Sequence, residues 1–326
     1  MANIIRWGII GCGEVTEVKS GPGFQKAEGS QLVAVMRRNG ELAADYARRH
    51  GVARWYDDAD ALINDPDVDA VYIATPPSTH KDYVLRCAAA GKPMLVEKPM
   101  ALSHAESVDM VEACSAAQVP LFVAYYRRAL PRFVKAKALI AEGAIGQVRF
   151  ASVRLHRPPL ASDRDPKLAW RIDPAISGGG HFFDMAGHQL DFLDDLFGPI
   201  SAVQGFAGNQ AGLYKAEDIV SGSFRFASGV QGVGQWCFST GDSVDEIAIH
   251  GSEGILRLSC FDDSALRLEN AEGARSIAIA NPPHVHQPLI QSIVDQLRGL
   301  SRCSSDGASG ARTAWVMDKL TGRLSD

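Results

Sequence analysis

The stretch Ile4-Ile5-Arg6-Trp7-Gly8-Ile9-Ile10-Gly11-Cys12-Gly13-Glu14-Val15-Thr16 reads as a strand, a tight glycine turn and the start of a helix. β-Branched and aromatic residues suit a pleated, buried surface. The first glycine lets the chain turn sharply at the strand end. The second leaves room for a phosphate to approach backbone N–H groups. The opening turn of a helix has N–H groups without internal acceptors, and these favour an anion. Gly11, Cys12, Gly13, Glu14 and Val15 are therefore candidate contacts for the pyrophosphate of a dinucleotide. The third small position of the usual pattern is taken here by Thr16.

The same texture continues outward. Short apolar runs at residues 32–36, 70–74, 94–96 and 121–124 follow the first one at 4–10. Stretches with helical spacing separate them, at 40–50, 59–64, 81–90 and 103–117. Near-continuous apolar strands joined by amphipathic helices imply a parallel sheet covered on both faces. Right-handed crossovers make it doubly wound, a Rossmann-type domain over residues 1–124. From Tyr125 the pattern changes. A helix is predicted at 131–142, strands at 147–156, 201–206, 219–226, 230–238, 245–250, 254–259 and 265–268, and helices at 182–196, 289–299 and 308–320. Ser228-Gly229 and Gly241-Asp242 are turn signals that predict antiparallel hairpins. The fold class is thus α/β, with an α+β second domain over 125–326.

Composition agrees. At roughly 150 residues per domain, 326 residues suggest about two domains. The chain is 46% hydrophobic and 22% charged, ordinary for a folded soluble protein, which argues against a disordered, collagen-like or polytopic membrane chain. Thirty-three Lys+Arg against 38 Asp+Glu give a net charge of -5, which disfavours nucleic acid and anionic lipid as partners. The six cysteines include no CxxC pair, so the expectation is thiols in a reducing compartment, the cytoplasm, with no zinc ribbon. No apolar run approaches the roughly 20 residues needed to span a bilayer, and the N-terminus reads as a strand, not a signal peptide.

Other strand ends add candidates. After the second strand come Met36-Arg37-Arg38-Asn39, with no carboxylate before Glu41. An acid there would hold a ribose hydroxyl, whereas Arg37 and Arg38 suit a 2′-phosphate, so NADP(H) is expected over NAD(H). Ala74-Thr75-Pro76-Pro77-Ser78-Thr79-His80 lies just beyond the third apolar run, and Glu97-Lys98-Pro99 follows the fourth. Ligands of such sheets bind outside the carboxyl ends of the strands, so Ala74, Thr75, Pro76, His80, Glu97 and Lys98 should line the cofactor crevice. Pro99 turns Lys98 away from helix, and a cis bond is open to it.

Later in the chain, Ser177-Gly178-Gly179-Gly180 leads into His181, Asp184 and His188. Three glycines would let the backbone approach a ligand closely. Asp184 and His188, four apart on a helix, share a face and could serve as an acid/base pair. They could equally be a surface pair. His181, Asp184 and His188 are spaced poorly for a single metal ion, and none is expected. His284 and His286 read as part of a polar loop.

In this order, Gly11-x-Gly13, Thr75-Pro76-Pro77-x-x-His80, Glu97-Lys98-Pro99 and Asp184-x-x-x-His188 resemble the glucose–fructose oxidoreductase/inositol dehydrogenase/MocA (Gfo/Idh/MocA) family. The similarity is strongest from residue 4 to about 198. It implies an NAD(P)-dependent oxidoreductase acting on the CH–OH or carbonyl carbon of a sugar, polyol or related small carbohydrate. It implies a second domain with a large, mostly antiparallel open sheet that supports a homodimer or homotetramer. It assigns Lys98, Asp184 and His188 to the active site. Trp170 and Arg171, in Trp170-Arg171-Ile172-Asp173-Pro174, resemble a pair that approaches the cofactor in sugar-reducing members. Tyr125-Tyr126-Arg127-Arg128 departs from the family, where an Asn often stands near two arginines. On the resemblance, His188 would transfer the proton and Lys98 would stabilise alkoxide charge beside the nicotinamide. An NAD-dependent glycosidase of the same family, a non-catalytic dinucleotide sensor and a dihydrodiol-type dehydrogenase are the alternatives.

Overall fold

Six short parallel strands build the first sheet: β1 (Ile5–Ile10), β2 (Ser30–Met36), β3 (Arg54–Tyr56), β4 (Ala70–Ile73), β5 (Met94–Val96) and β6 (Leu121–Val123), in the order β3-β2-β1-β4-β5-β6. They belong to a computed structural model that describes residues 4–164 and 169–324. All of β4, β5 and β6 and most of β1 are buried, as a sheet with both faces covered requires. Ile10, Val33, Met36, Leu62, Ile73, Val84, Met94 and Met110 share one core. Between Trp7 and Gly8 the β1–β2 register shifts. The extra residue is Val33 on β2, and Gly8 opposite is small because a Cβ there would stand 2.7 Å from Leu62 Cδ2. Strand order reverses between β1 and β4, which sets the loops after those strands side by side.

The sequence reading missed β3. Its three residues, Arg54-Trp55-Tyr56, are half-buried or exposed and form no apolar run, unlike the equally short β5 and β6, and the Thr75 loop thus follows the fourth strand of the chain. The helix Gly40–His50 matches its prediction. Asn39 caps it by accepting the Leu42 N–H at 3.1 Å, and Gly51 ends it with φ of 64°.

The second sheet has eight strands: β7 (Val148–His156), β8 (Ile200–Gly208), β9 (Ile219–Phe226), β10 (Gln231–Cys237), β11 (Val244–Gly251), β12 (Gly254–Leu258), β13 (Leu266–Asn270) and β14 (Gly273–Ile277). Their order is β14-β13-β12-β11-β7-β10-β9-β8. Ser228-Gly229 makes the expected hairpin between β9 and β10. Gly241-Asp242 does not. β10 and β11 flank β7, parallel to it on one side and antiparallel on the other, so the turn crosses over a strand instead of joining neighbours. β14, exposed along most of its length and without alternation, was also missed.

One face of this sheet is covered by the helix His181–Phe197, which lies against β9 and β10. Trp236, fully buried, meets Phe182 edge-on at 5.2 Å and donates its Nε1–H to Gln189 at 2.7 Å. On the other face Phe206, Val233 and Phe150 are exposed.

The chain divides into two compact units. One comprises Met1–Ala101, Ala105–Leu130 and Pro282–Ala311; the other comprises Leu102–His104, Pro131–Asn281 and Arg312–Asp326. The helix Gln287–Leu297 thus belongs with the parallel sheet and buries Leu289, Ile290, Ile293 and Val294. None of the six cysteines forms a disulfide, and all are buried. Among the described residues, no helix is long and apolar enough to cross a membrane.

Candidate functional site

In the first unit the glycine turn is shaped by the sheet beneath it. The Gly11 and Cys12 N–H groups donate to the Met36 carbonyl at 2.9 and 3.2 Å. Gly11 has φ of 90°, and a Cβ there would stand 2.7 Å from Thr75 Cγ2 and 3.0 Å from the Ala74 carbonyl carbon. Only glycine fits. At Gly13 a Cβ would meet nothing nearer than the Gly11 oxygen at 3.8 Å. The backbone of Gly13 is therefore open to an approaching group, which is the fit a pyrophosphate needs. The helix that follows, Glu14–Val18, is brief; Glu14 is exposed and Val15 half-buried. Thr16 is fully buried. Its hydroxyl donates to the Gly13 oxygen at 2.7 Å, and its carbonyl accepts the Tyr46 hydroxyl at 2.8 Å, which explains how Thr serves where a smaller residue is usual. Cys12 lies inside, its thiol pushed up to about 11 chiefly by burial.

Arg37 and Arg38 both extend into solvent after β2, and neither guanidinium is in an ion pair among the described residues. Beyond β4, Thr75 and Pro76 lead into the buried His80. The His80 ring reaches the Thr75 carbonyl through Nε2 (2.7 Å) and those of Pro99 and Met100 through Nδ1 (3.1 and 3.2 Å). Burial lowers its pKa, and the carbonyls pull the other way. His80, read from sequence as a cofactor contact, is placed as a strut between two strand-end loops.

Glu97 is buried at the end of β5, and the Lys98–Pro99 bond is cis. The Tyr72 hydroxyl donates to Glu97 Oε1, and the Lys98 N–H donates to Oε2 at 3.1 Å. Lys98 itself is half-buried. Burial and the Glu97 charge raise the Tyr72 pKa, so its hydroxyl stays a donor. The sequence reading missed two groups here. Tyr72 looked like an ordinary strand residue. His286 comes from a segment far along the chain, yet its Nδ1 stands 3.6 Å from Glu97 Oε1 and its ring lies 4.2 Å from that of Tyr126. Its pKa is held down at about 3, first by burial and then by Lys19, Lys98 and Arg127. Glu97 would favour the imidazolium, but at this distance there is no hydrogen bond to outweigh full desolvation. Tyr125, Tyr126, Arg127 and Arg128 are all buried, and Arg128 donates to the Ser304 carbonyl at 3.0 Å.

In the second unit the glycine run has a use other than the one read from sequence. Gly178 has φ of 84°, and a Cβ there would stand 3.0 Å from the Leu102 Cα. Added Cβ atoms would stand 2.1 Å from the Phe183 ring at Gly179 and 2.8 Å from Ala216 at Gly180. What these glycines admit is the protein's own chain. They open the helix His181–Phe197, on which Asp184 is half-buried and His188 buried. His188 meets Phe261 edge-on at 6.1 Å. His181 turns away to Asp163, Nε2 to Oδ1 at 2.8 Å, with both side chains buried. Asp163 was also missed, because nothing in its local sequence marks it. The Arg171 guanidinium lies 4.4 Å over the Trp170 ring. Among the described residues no group of three or more His, Cys, Asp or Glu side chains is arranged to hold a metal.

Residues 5–125 match the family model described as oxidoreductase family, NAD-binding Rossmann fold, and 133–257 match that of the GFO/IDH/MocA C-terminal domain. "Oxidoreductase P35" of Formosa agariphila is 40% identical over 99% of this chain and 100% of its own length. A 1,5-anhydro-D-fructose reductase of Ensifer adhaerens is 29% identical over 94% of this chain and 92% of its own. The solved structure of a levoglucosan dehydrogenase in complex with NADH and levoglucosan superposes with a TM-score of 0.86 at 26% identity, covering 97% of this chain and 96% of that one.

Proposed function

The chain belongs to the Gfo/Idh/MocA family of oxidoreductases with an NAD-binding Rossmann fold, and from that premise we propose that it transfers hydride between NADP(H) and the hydroxyl- or carbonyl-bearing carbon of a sugar, polyol or related small carbohydrate. What carries this reading is the uncovered backbone of Gly13 at the point where strand order reverses. The substrate class is supported by the likeness to the anhydrofructose reductase and the levoglucosan dehydrogenase. The preference for NADP(H) rests on Arg37 and Arg38, exposed and without a neighbouring acid before Glu41.

Bound nicotinamide supplies the hydride donor or acceptor; the chain's own residues do the rest. Gly11, Cys12, Gly13, Glu14 and Val15 hold the pyrophosphate, Ala74, Thr75 and Pro76 line the crevice, and Trp170 and Arg171 contact the cofactor. His188 gives or takes the proton of the reacting oxygen. Lys98, as ammonium, stabilises the developing oxyanion. Asp184 orients His188 or binds a neighbouring hydroxyl. Self-association is assigned to the second sheet's outer face, where β-register puts Phe206, Ser221, Gln235 and Arg154 in one row. We place the protein in the cytoplasm on the strength of its six buried cysteines without disulfides.

A screen of ketoses, osones, aldoses and inositols by nicotinamide absorbance, with both cofactors, tests the reading. Turnover of at least one class with NADP(H) favoured is expected. Sugar cleavage without net change in nicotinamide absorbance would replace it with a glycosidase.

A further inference from the structure

His286 is buried to 1% exposure, although it looked from sequence like a loop residue. Its segment is seated on the chain just past the glycine turn. The His286 N–H donates to the Lys19 carbonyl at 3.2 Å, and His284 Nδ1 lies 2.7 Å from the Val18 carbonyl. Gly23 leaves space for this segment: a Cβ there would stand 2.9 Å from Ile290 Cδ1 and 3.3 Å from Gln287 Cα. On one side the His286 ring packs on Tyr126; on the other its Nδ1 faces Glu97 Oε1 at 3.6 Å. That oxygen takes the Tyr72 hydroxyl, and the second oxygen of the same carboxylate takes the Lys98 N–H. Nδ1 of His286 has no hydrogen-bond partner among the described residues, a costly state for a buried polar atom. The acceptor facing it, a few tenths of an ångström beyond hydrogen-bond distance, is the Glu97 carboxylate.

We infer that His286 is a positioning residue for the hydride transfer proposed above: its Nδ1–H faces the Glu97 carboxylate at 3.6 Å and braces it electrostatically, and that carboxylate holds the backbone of Lys98 and so sets the direction of the Lys98 ammonium. The role rests on that functional reading and adds a residue to it. The imidazole must be neutral with its proton on Nδ1. The burial and the cations that face it, Lys19, Lys98 and Arg127, keep it neutral.

His286→Phe keeps a ring against Tyr126 and removes the donor; His286→Asn returns an N–H near the Nδ1 position. The Phe variant should lose about tenfold in kcat, short of the roughly 10²-fold that a 1 Å misplacement can cost. Its nicotinamide KM should stay within about twofold, and the Asn variant should regain most of kcat at the same thermal midpoint. In a Glu97→Gln background, His286→Phe should add nothing, because the two act as one unit. A substrate-free readout accompanies these. The rate at which acetic anhydride labels Lys98 in the full chain, followed by peptide mass spectrometry, should change in H286F and return in H286N, while labelling of exposed Lys26 stays constant.

Equal losses in H286F and H286N, or wild-type kcat and Lys98 labelling in a folded H286F, would overturn the role and leave His286 as packing. If H286F does not fold, H286N decides: a loss as large as that of Glu97→Gln overturns it. If the wild type turns over nothing in the screen, the hydride-transfer reading fails, whereas Lys98 labelling still decides the part played by His286.

Discussion

The Nδ1 of His80 lies 3.1 Å from the carbonyl oxygen of Pro99, so one buried imidazole from the β4 side holds the loop that carries Lys98. Its other nitrogen, Nε2, lies 2.7 Å from the Thr75 carbonyl, and a neutral ring donates through only one of the two nitrogens. Leucine at this position would remove the ring N–H and leave the carbonyl that accepts it without that donor. His80→Leu should cost about 1–3 kcal/mol, the penalty for unsatisfied buried polar groups. Urea unfolding at unchanged m checks it, with a weaker nicotinamide affinity as the accompanying effect.

If His188 moves the proton, His188→Ala should lower kcat by about 10²–10⁴-fold. Nucleotide binding, read by quenching of protein fluorescence, should survive. Unchanged turnover would remove His188 from the reaction.

Arg37 sets the cofactor choice if its guanidinium meets a 2′-phosphate. Arg37→Asp should shrink the ratio of kcat/KM for NADP(H) over NAD(H) by about tenfold or more, equivalent to one charge-assisted hydrogen bond. Steady-state kinetics with both cofactors measure it. A wild type that uses the two equally would end the proposal.

Gly178 combines a left-handed φ with a close approach to Leu102. Gly178→Ala should destabilise the protein by about 1–3 kcal/mol, the cost of a side chain forced into such a backbone state. A lower thermal midpoint is the readout, and a midpoint equal to that of the wild type would show that the turn relaxes freely.

Acid should unfold the protein partly through His286. Its folded pKa, about 3, lies below the ordinary value of 6.5, so between those values the unfolded chain binds a proton that the folded one refuses. Stability is complete above the ordinary value and falls as pH drops through this window, at up to about 1.4 kcal/mol per pH unit for one such group. His80, also lowered, acts in the same direction. Urea midpoints at about pH 7 and about pH 5 should differ less in His286→Asn than in the wild type.

The features legible in sequence are those that a local pattern encodes. The glycine turn after β1, the helix Gly40–His50 with its Asn39 cap and Gly51 stop, and the strand Ile219–Phe226 each carry their signals within a few residues. β3 and β14 escaped because neither forms a buried apolar run or an alternation, whereas β5 and β6, as short as β3, are apolar and buried throughout. The place of β7 between β10 and β11 is a matter of pairing, which turn residues such as Gly241-Asp242 do not encode. At the site, Lys98 and His80 were picked out by their addresses at strand ends, while the bonds of the buried His80 ring to the Thr75, Pro99 and Met100 carbonyls join separate loops and leave no mark in a local pattern. The glycines at 178–180 were rightly noticed, but the bodies they admit are Leu102, Phe183 and Ala216. His286 and Glu97 meet only because the chain returns to the first unit after the second sheet is complete, a long-range closure invisible to any window.

That return also governs the order of assembly at the ribosome. Leu289, Ile290, Ile293 and Val294 complete the first unit but are translated only after all eight strands of the second sheet. A nascent chain paused near residue 280 would present an unfinished nucleotide-binding half with greasy surface awaiting its last helix, the kind of transient exposure that recruits chaperones. Cutting the gene at the visible change of texture would make the same unfinished fragment permanent.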